Sequence, residues 1–232
     1  KGWYILTFDY SQIELRILAH LANATSLIEA FNHGADIHTL TAATIFDVKQ
    51  EAVTDQMRRQ AKTINFGIIY GMSEWGLKDE LGIGVKDAKA FIERYFQSYP
   101  EIKQYFDRTI ESCKKTGYVQ TYFNRIRFVN ELSSSNFNVR EFGKRIAMNS
   151  PIQGTAADII KIAMLRIDEL LETEQFQAKM LLQVHDELVF ELPYEELMSL
   201  IPKVQNIMEQ VVTFQVKLGV NYGYGYNWYD AK

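Results

Sequence analysis

Residues 180–192 read Met180-Leu181-Leu182-Gln183-Val184-His185-Asp186-Glu187-Leu188-Val189-Phe190-Glu191-Leu192. Two short apolar runs flank three polar residues. Apolar runs of this length, bounded by turn-forming polar residues, predict two antiparallel strands joined by a tight turn. The predicted hairpin therefore carries two adjacent carboxylates, Asp186 and Glu187, at its tip.

A further carboxylate lies at the end of another apolar stretch near the start of the chain. Trp3 to Phe8 predict a buried strand, and Asp9 follows it directly. Residues 9–12 predict a turn into a helix, with Ser11 as its N-cap and Glu14 in the capping-box position. Strand and hairpin would have to lie side by side for their carboxylates to act together.

Carboxylates at the edge of a buried sheet are costly unless positive charge meets them. A pair of Mg²⁺ ions would answer this, because Mg²⁺ uses one or two protein carboxylates together with substrate phosphates. An Asp-Glu pair also suits a solvent-facing hairpin turn that has no further role. The sequence leaves both interpretations open.

The rest of the chain is mostly helical by pattern. Glycine, proline and capping residues separate the predicted elements. Helices are predicted at 37–46, 54–70, 73–81, 86–98, 101–116, 138–148, 155–174 and 194–213, with Pro151 as a break. Short strands are predicted at 118–123, 127–129 and 214–222. The predicted fold class is α+β, with a small, mainly antiparallel sheet that carries the carboxylates.

Composition excludes several classes of protein. Hydrophobic residues make up 47% of the 232 residues and charged residues 23%, which is typical of a folded globular chain. One cysteine, Cys113, excludes an internal disulfide framework, and no apolar run approaches the ~20 residues that span a bilayer. We found no P-loop, no G-x-S-x-G elbow and no strand-linked G-x-G-x-x-G motif.

The charge distribution is uneven. The net charge is −4, but residues 1–167 hold 21 Lys and Arg against 18 Asp and Glu, whereas residues 168–232 hold 4 against 11. Within 112–145 there are seven basic and two acidic residues. Such a segment is usually a solvated face, and it is also a candidate phosphate-binding track.

A stripe of four residues on the helix predicted at 54–70 combines charge with aromatic rings. Arg58, Lys62, Phe66 and Tyr70 recur every four residues and therefore share one face. Cations bind phosphates, and rings stack on bases. The alternative is that both rings belong to the core while the cations face solvent, but core and solvated residues should then occupy opposite faces.

A second series of polar residues surrounds Pro151. Arg145, Asn149 and Gln153 are again spaced by four. Amide side chains donate and accept hydrogen bonds, which suits contacts with base edges. Helix capping around the proline is an alternative role for Asn149, and His185 would ordinarily be an oriented turn histidine.

Taken together, these segments resemble the family A DNA polymerases. Three long motifs occur in the family's order: Asp9 to Arg16, Arg58 to Gly71, and Gln183 to Glu187. Pro151 to Asp158 and Asn227 to Lys232 are similar to the family as well. The resemblance covers nearly the whole chain.

The resemblance implies roles for named residues. Asp9, Asp186 and the backbone of Tyr10 would ligate two Mg²⁺ ions, for which Mn²⁺ can substitute, and Glu187 would be a supporting catalytic residue. The residues implied in dNTP binding are Arg58, Lys62, Phe66, Tyr70, Glu14, Gln12 and His38, with Glu14 as a steric gate against the ribose 2′-hydroxyl. Those implied in binding primer–template DNA are Arg145, Asn149, Gln153, His185, Arg59 and Tyr70.

The resemblance also implies a domain plan. Residues 1–35 and 118–232 would form the palm, and residues 36–117 the fingers. The thumb and exonuclease-like domains precede the first motif in the family, so we expect this chain to be part of a longer protein. We further expect a monomer in the bacterial cytoplasm, associated with the nucleoid and not with a membrane. Ile126 and Asn130 depart from the family pattern, which puts DNA contacts near them in doubt.

Two other classes of function fit some of these residues. A non-catalytic nucleic-acid-binding module would use the cations and rings, and it would tolerate substitution of Asp9 and Asp186. A two-metal nuclease or phosphatase would share the carboxylates but would not need a nucleotide-binding helix.

Overall fold

A four-stranded antiparallel sheet and a mostly helical segment form two separate units. The computed structural model describes residues 2–231. Unit 1 joins the first 13 residues to the segment from Ala156 onward, and unit 2 is Glu14–Thr155. The predicted α+β class is confirmed. The palm and fingers boundaries at residues 35 and 117 remain a prediction.

The elements occur in the following order. The strands are β1 Trp3–Ser11, β2 Tyr118–Gln120, β3 Ile126–Phe128, β4 Lys179–Val184, β5 Glu187–Pro193 and β6 Gly219–Gly225. The helices are α1 Ile13–Ala22, α2 Thr25–Asn32, α3 Ile37–Phe46, α4 Asp55–Ile69, α5 Glu74–Leu81, α6 Val85–Ser98, α7 Pro100–Thr116, α8 Phe137–Thr173 and α9 Leu197–Glu209. Short 3₁₀ turns occupy Gln50–Ala52, Asn130–Ser133 and Tyr194–Glu196.

Unit 1 is built on the sheet, whose strand order is β4-β5-β1-β6. The central strand β1 pairs antiparallel with β5 on one side and with β6 on the other. Leu6 and Phe8 of β1 are buried, as are Leu188 and Phe190 of β5. The hydroxyl of Tyr10 donates to the backbone carbonyl of Met208, which ties β1 to α9 (2.9 Å).

Unit 2 is helical apart from the short β2–β3 hairpin. One of its cores joins α7, the hairpin and the first half of α8. The buried residues of this core are Cys113, Val119, Val129, Leu132, Ile146 and Ala147. Within residues 2–231, no helix is long and apolar enough to cross a bilayer.

One predicted break is wrong, because α8 runs without interruption from Phe137 to Thr173 across Pro151. Proline removes one backbone donor from a helix, which usually ends or kinks it. Here the turns on both sides are held by other contacts. Ile146 and Ala147 are buried in the core described above, and Thr155 Oγ1 donates to the Pro151 carbonyl at 2.6 Å. Packing therefore outweighs the local preference.

The first strand is longer than predicted. The predicted turn at residues 9–12 is wrong, because β1 continues through Ser11 and only Gln12 lies between it and α1. Gln12 has a positive φ of 52°, which makes the sharp change of direction. Pairing on both sides of β1 extends the strand past the end of its apolar run. Asp9 therefore lies inside a central strand.

Other boundaries differ by smaller amounts. Helix α2 was not predicted. The last strand was predicted too early, since β6 begins at Gly219, and α9 ends at Glu209 instead of residue 213. Strands β2 and β3 are three residues each, because residues 121–125 form the turn between them.

Candidate active-site residues

The three predicted catalytic carboxylates lie together in unit 1. The β1–β5 register places Asp9 directly opposite Glu187. Opposite residues of an antiparallel pair project from the same face. Asp186 occupies the two-residue loop before β5, and its carbonyl accepts from the backbone N–H of Tyr10 at 3.2 Å. The strand and the hairpin are therefore side by side, as the proposed chemistry requires.

The surroundings of Asp9 disfavour the ionised form of its carboxyl. Burial raises the pKa of Asp9, the negative charges of Asp186 and Glu187 raise it further, and a hydrogen bond from Asn221 opposes them. That bond runs from Asn221 Nδ2 to Asp9 Oδ2 at 3.4 Å. Among residues 2–231, neither Asp9 nor Asp186 forms an ion pair with a basic side chain. Asp9 and Asp186 therefore carry negative charge that no basic side chain within residues 2–231 balances through an ion pair.

The donor set fits a divalent cation of the hard, oxygen-binding type. In the described part of the chain, no three His, Cys, Asp or Glu side chains form a metal site by themselves. Mg²⁺ does not need such a site, because it usually takes one or two carboxylates and completes its coordination with substrate oxygens and water. Asp9 and Asp186 supply this incomplete set.

The backbone beside the carboxylates adopts a conformation that is rare for residues other than glycine. His185, the first residue of the hairpin loop, has a φ of 55°. Its side chain is exposed, and its carbonyl accepts from Gln183 Nε2 at 3.1 Å. Gln12 is also left-handed, and its Oε1 is buried without a hydrogen-bond partner among residues 2–231. Backbone strain of this kind concentrates at functional sites.

The predicted stripe on α4 lies on the accessible side of that helix. Thr54 caps the helix by accepting from the backbone N–H of Met57. Arg58, Lys62 and Tyr70 are exposed and Phe66 is half-buried, whereas the opposite side, including Ile64 and Ile68, is buried. The rings are therefore not core residues of unit 2.

Arg58 pairs with an acidic residue of α3. Its Nε is 2.5 Å from Oδ2 of Asp36, which also caps α3 by accepting from the backbone N–H of His38 at 3.0 Å. Partial burial opposes ionisation of Asp36, but hydrogen bonds from Arg58 and Thr39 lower the pKa of its carboxyl to about 2. The guanidinium is thereby held at the first turn of α3.

His38 and Asn65 form a buried polar contact between α3 and α4. The amide nitrogen of Asn65 lies 3.0 Å from His38 Nδ1, and its oxygen accepts from Thr41 Oγ1 at 3.1 Å. The imidazole ring centroid is 6.1 Å from that of Phe66. Burial lowers the pKa of His38, and Arg58 and Lys62 lower it further against the opposing effect of Asp36.

Glu14 and Tyr70 are joined by a hydrogen bond. The hydroxyl of Tyr70 donates to Glu14 Oε2 at 2.9 Å. Glu14 is in the first turn of α1, and Tyr70 is the C-cap of α4. Two residues predicted to contact the nucleotide are therefore coupled directly within unit 2.

The predicted DNA-contacting residues of α8 share one helix but differ in exposure. Arg145 and Gln153 are exposed, while Asn149 is half-buried and its Oδ1 is buried without a hydrogen-bond partner among residues 2–231. The guanidinium of Arg145 lies 5.7 Å from the ring centroid of Phe142. Asn149 does not cap a helix end, because α8 is continuous there. Arg59 is exposed on α4.

Several residues that contact the predicted site residues were not themselves predicted from the sequence. Asn221 binds Asp9, Trp228 Nε1 donates to Glu187 at 2.8 Å, Asp36 binds Arg58, and Asn65 contacts His38. Only Asn65 gave a usable signal, since an amide among the apolar residues of a helix requires hydrogen-bond partners. The others depend on pairings between distant segments.

Comparison with known proteins defines the class. The model of DNA polymerase family A matches residues 1–230. DNA polymerase I of Geobacillus stearothermophilus is 55% identical over 230 residues, which is 99% of this chain and 26% of that protein. DNA polymerase I of Bacillus subtilis is 50% identical over 232 residues, again 26% of its length. The chain belongs to DNA polymerase family A.

A solved structure has the same fold. It is the POL domain of Pol1 from M. smegmatis in complex with DNA primer–template and dNTP, with a TM-score of 0.95 and 41% identity. The match covers 100% of this chain and 41% of that one. The chain spans about a quarter of the length of the curated relatives it matches. The predicted family is confirmed.

Proposed function

We propose that this chain takes part in template-directed DNA synthesis, in replication or repair. The reaction adds dNMP from a dNTP to a primer 3′-hydroxyl and releases pyrophosphate. The observation that carries the proposal is the placement of Asp9 on β1 beside Asp186 of the β4–β5 loop, where neither carboxylate forms an ion pair within residues 2–231, in a chain of DNA polymerase family A.

The proposed cofactor is Mg²⁺, as two ions, with Mn²⁺ as a substitute. Asp9, Asp186 and the backbone carbonyl of Tyr10 would hold it, with Glu187 in support. When bound, such cations lower the pKa of a nucleophilic oxygen and neutralise charge on the transferred phosphoryl group. The strands supply rigid positions for these oxygens, because β1 is paired on both sides.

The proposed role of α4 is to bind the incoming nucleotide. Arg58 and Lys62 would contact its phosphates, because both side chains are exposed cations one helical turn apart. Phe66, one turn further, would stack near its sugar and base. His38 and Gln12 would add polar contacts, and Glu14, held by Tyr70, would oppose a ribose 2′-hydroxyl.

The proposed DNA contacts need hydrogen-bond donors and acceptors that protein does not already occupy. Asn149 Oδ1 has no hydrogen-bond partner among residues 2–231, but it is buried, so its side chain would have to turn outward to contact DNA. Arg145, Gln153, Arg59 and His185 are exposed. Amides and cations of this kind position a duplex through its phosphates and minor groove.

Primer extension tests the catalytic assignment. A labelled primer–template with Mg²⁺ and all four dNTPs should be extended by the wild type and not by Asp186→Asn. The matched control is Asp79→Asn, the same chemical change at an exposed residue of α5. Extension at the wild-type rate by Asp186→Asn would contradict the two-metal assignment.

A second comparison separates the proposal from a two-metal nuclease or phosphatase. Lys62→Ala should impair dNTP-dependent extension, because a polymerase needs the nucleotide phosphates to be bound. Retained phosphoryl-transfer activity in this variant would favour hydrolysis.

The cytoplasmic, nucleoid-associated location and the monomeric state stay predictions. They fit the proposed substrates, DNA and dNTPs. The assignment of residues 1–35 and 118–232 to a palm and of residues 36–117 to fingers is proposed on the same basis.

A further inference from the structure

The residues that follow β6 form a compact turn, which we call the 226–231 turn. Asn227 closes it from both sides. Its Nδ2 donates to Asp230 Oδ2 at 2.6 Å, and its Oδ1 accepts from the backbone N–H of Asp230 at 3.1 Å. The backbone N–H of Ala231 donates to the Asn227 carbonyl at 3.2 Å. None of these three residues has a role in the function proposed above.

The 226–231 turn is fixed to the face of the sheet that carries Asp9. Thr7 Oγ1 donates to the Ala231 carbonyl at 2.7 Å, and both residues are buried. Gly225, the last residue of β6, lets the turn approach closely, because a Cβ there would lie 2.8 Å from the carbonyl carbon of Asp230. Thr7 and Asp9 are two residues apart on β1 and therefore point to the same side. The turn thus lies on the side of the candidate catalytic carboxylates.

Trp228 reaches from the 226–231 turn to Glu187. Its Nε1 donates to Glu187 Oε1 at 2.8 Å. The turn follows β6 and Glu187 begins β5, and β1 lies between these two strands, so the bond connects segments on both sides of the central strand. An indole N–H can only donate, and its bond to a carboxylate is charge-assisted. The bond therefore restricts the directions in which the Glu187 carboxylate can point.

The arrangement of the three carboxylates shows what this restriction achieves. Asp9, Asp186 and Glu187 lie close together, yet within residues 2–231 no three His, Cys, Asp or Glu side chains are placed to hold one metal ion. Glu187 is therefore not turned into a site shared with the other two. A cation held by two carboxylates keeps positions open for substrate oxygens and water, which suits Mg²⁺. A third carboxylate would occupy one of these positions.

We propose that Trp228 is a positioning residue that holds Glu187 out of the metal coordination, so that Asp9 and Asp186 remain an open, two-carboxylate site. The metal rests on the proposed function; the hold on Glu187 does not. Loss of the indole N–H frees Glu187 to become a third ligand. The metal should then bind more tightly in the absence of nucleotide, and the reaction should be slower because a position for substrate is filled.

NMR of the indole groups of the full chain tests the contact. The chain has three tryptophans, and the ¹H–¹⁵N indole signal that is lost in Trp228→Phe belongs to Trp228. A hydrogen bond to a charged acceptor shifts the donor proton downfield. Glu187→Gln should therefore move the Trp228 indole proton upfield and leave the signals of Trp3 and Trp75 in place. A Trp228 signal that does not move would overturn the proposal.

Thr7→Val tests whether the 226–231 turn holds the indole in place. The substitution is nearly isosteric and removes the hydroxyl that binds the Ala231 carbonyl, but it changes neither partner of the indole bond. The Trp228 indole proton should shift in the same direction as in Glu187→Gln. The control is Thr213→Val, at an exposed residue of the same unit that makes no side-chain hydrogen bond within residues 2–231. Equal signals in Thr7→Val and the wild type would contradict the anchoring role of the turn.

Metal binding tests the consequence without a measurement of activity. Titration with Mn²⁺, followed by the electron paramagnetic resonance signal of the free ion, gives the affinity in the absence of nucleotide. Trp228→Phe should bind Mn²⁺ roughly tenfold more tightly than the wild type, because a further carboxylate adds negative charge to the site. In a Glu187→Ala background the same change should have no effect, since Trp228 acts through Glu187.

Trp3→Phe is the matched control for this titration. Trp3 lies in the same sheet, and its side chain is 38% exposed against 36% for Trp228. Its affinity for Mn²⁺ should equal that of the wild type. Unchanged or weaker binding in Trp228→Phe, or a gain that persists without Glu187, would contradict the positioning role.

Primer extension with Mg²⁺ gives a second measure. Trp228→Phe should lower kcat by about tenfold, the usual effect of changing a group that orients the residues around a metal. It should leave KM for the dNTP unchanged, because the proposed nucleotide-binding residues do not contact Trp228. A higher KM with an unchanged kcat would contradict the proposal.

The two proposals fail separately. A wild-type chain that binds no Mn²⁺ would contradict the metal site of the proposed function and, with it, the role of Trp228. A chain whose Mn²⁺ binding is lost in Asp186→Asn but is unchanged in Trp228→Phe would contradict only the positioning role.

Discussion

At the residue scale, Asp9 is the clearest case of electrostatic conflict, because the folded structure disfavours the ionised form of its carboxyl. It lies in a central strand, opposite Glu187 and beside Asp186, and its pKa is raised first by burial and then by these neighbours. A carboxyl whose pKa is raised by folding destabilises the fold where it is ionised. The conflict disappears when the carboxyl is protonated, removed or bound to a cation.

This conflict predicts the effect of Asp9→Asn on stability. In chelator at pH 7, the variant should have a higher Tm than the wild type, and the gap should narrow as the pH falls and Asp9 takes up its proton. Added Mg²⁺ should raise the Tm of the wild type and not that of the variant. Calorimetric scans with EDTA or Mg²⁺ check both statements. A lower Tm for the metal-free variant would contradict the electrostatic account.

Glu14 gives a prediction about substrate selection. Because Tyr70 fixes its carboxylate at 2.9 Å, the side chain cannot turn aside without losing a hydrogen bond. Glu14→Ala should therefore raise the use of rNTPs relative to dNTPs by roughly tenfold or more. Single-nucleotide incorporation with each substrate measures the ratio. Glu29→Ala, at an exposed residue of α2, is the control, and an unchanged ratio in Glu14→Ala would refute the steric-gate assignment.

The contribution of Asp36 to the stability of the fold should depend on pH in the opposite direction to that of Asp9. Its pKa is lowered to about 2, so the pairing with Arg58 stabilises the fold above the unfolded value of about 4 and is lost as the pH falls toward 2. Asp36→Asn keeps an N-cap for α3 but loses the ion pair. The variant should have a lower Tm than the wild type at pH 7 and a similar Tm near pH 2. A difference in Tm between the variant and the wild type that stays the same from pH 7 to pH 2 would show that the ion pair does not contribute to stability.

At the scale of elements, α8 packs closely against the 3₁₀ turn at 130–133. A Cβ on Gly143 would lie 2.7 Å from the backbone nitrogen of Leu132 and 2.9 Å from the carbonyl carbon of Glu131. Backbone atoms cannot move aside as a flexible side chain can. The glycine therefore sets the distance between the helix and this turn.

Gly143→Ala should destabilise the chain by about 1–3 kcal/mol, the usual effect of overpacking. That corresponds to a fall in Tm of roughly 2–4 °C per kcal/mol for a chain of this size. The control is Gly67→Ala in α4, whose nearest neighbours would be side-chain atoms of Met72 at 3.2 Å or more. Thermal unfolding followed by circular dichroism compares them. Equal Tm values would show that the turn adjusts freely.

Elements with strong local signals were predicted well. Helix α4 has a capping threonine and a clear polar–apolar division, and the β4–β5 hairpin has two apolar strands around His185-Asp186. The stripe of Arg58, Lys62, Phe66 and Tyr70 was placed on an accessible face for the same reason. Local propensity and burial agree in these segments.

Features that depend on distant segments were not predictable. The continuity of α8 across Pro151 follows from burial of Ile146 and Ala147 against other elements. The extension of β1 through Ser11 follows from pairing with β5 and β6 on its two sides. The partners of the site residues also come from other segments: Asn221 lies 212 positions from Asp9, and Trp228 lies 41 positions from Glu187.

For the whole molecule, the uneven charge distribution matters more than the net charge of −4. The excess of basic residues lies before residue 168, and seven of them fall in 112–145. DNA affinity that depends on such residues should decline with salt, because each neutralised phosphate releases counterions.

Arg145→Ala tests this dependence. The variant should bind primer–template less tightly and show a salt slope smaller by about one, the contribution of one phosphate contact. Lys86→Ala removes the same charge from an exposed position on α6 and should leave the slope unchanged. Fluorescence anisotropy from 50 to 300 mM salt measures both slopes. Equal slopes for the two variants would show that only net charge matters.

The central claim is that nucleotide addition is directed by the template. Four primer–templates that differ only in the first unpaired template base, each incubated with one dNTP at a time and Mg²⁺, test it most directly. We predict that the folded chain extends each primer mainly with the complementary dNTP, and that Asp9→Asn and Asp186→Asn extend none. Extension that ignores the template base, extension that survives both substitutions, or no extension by a folded chain that binds dNTP and DNA would contradict the account.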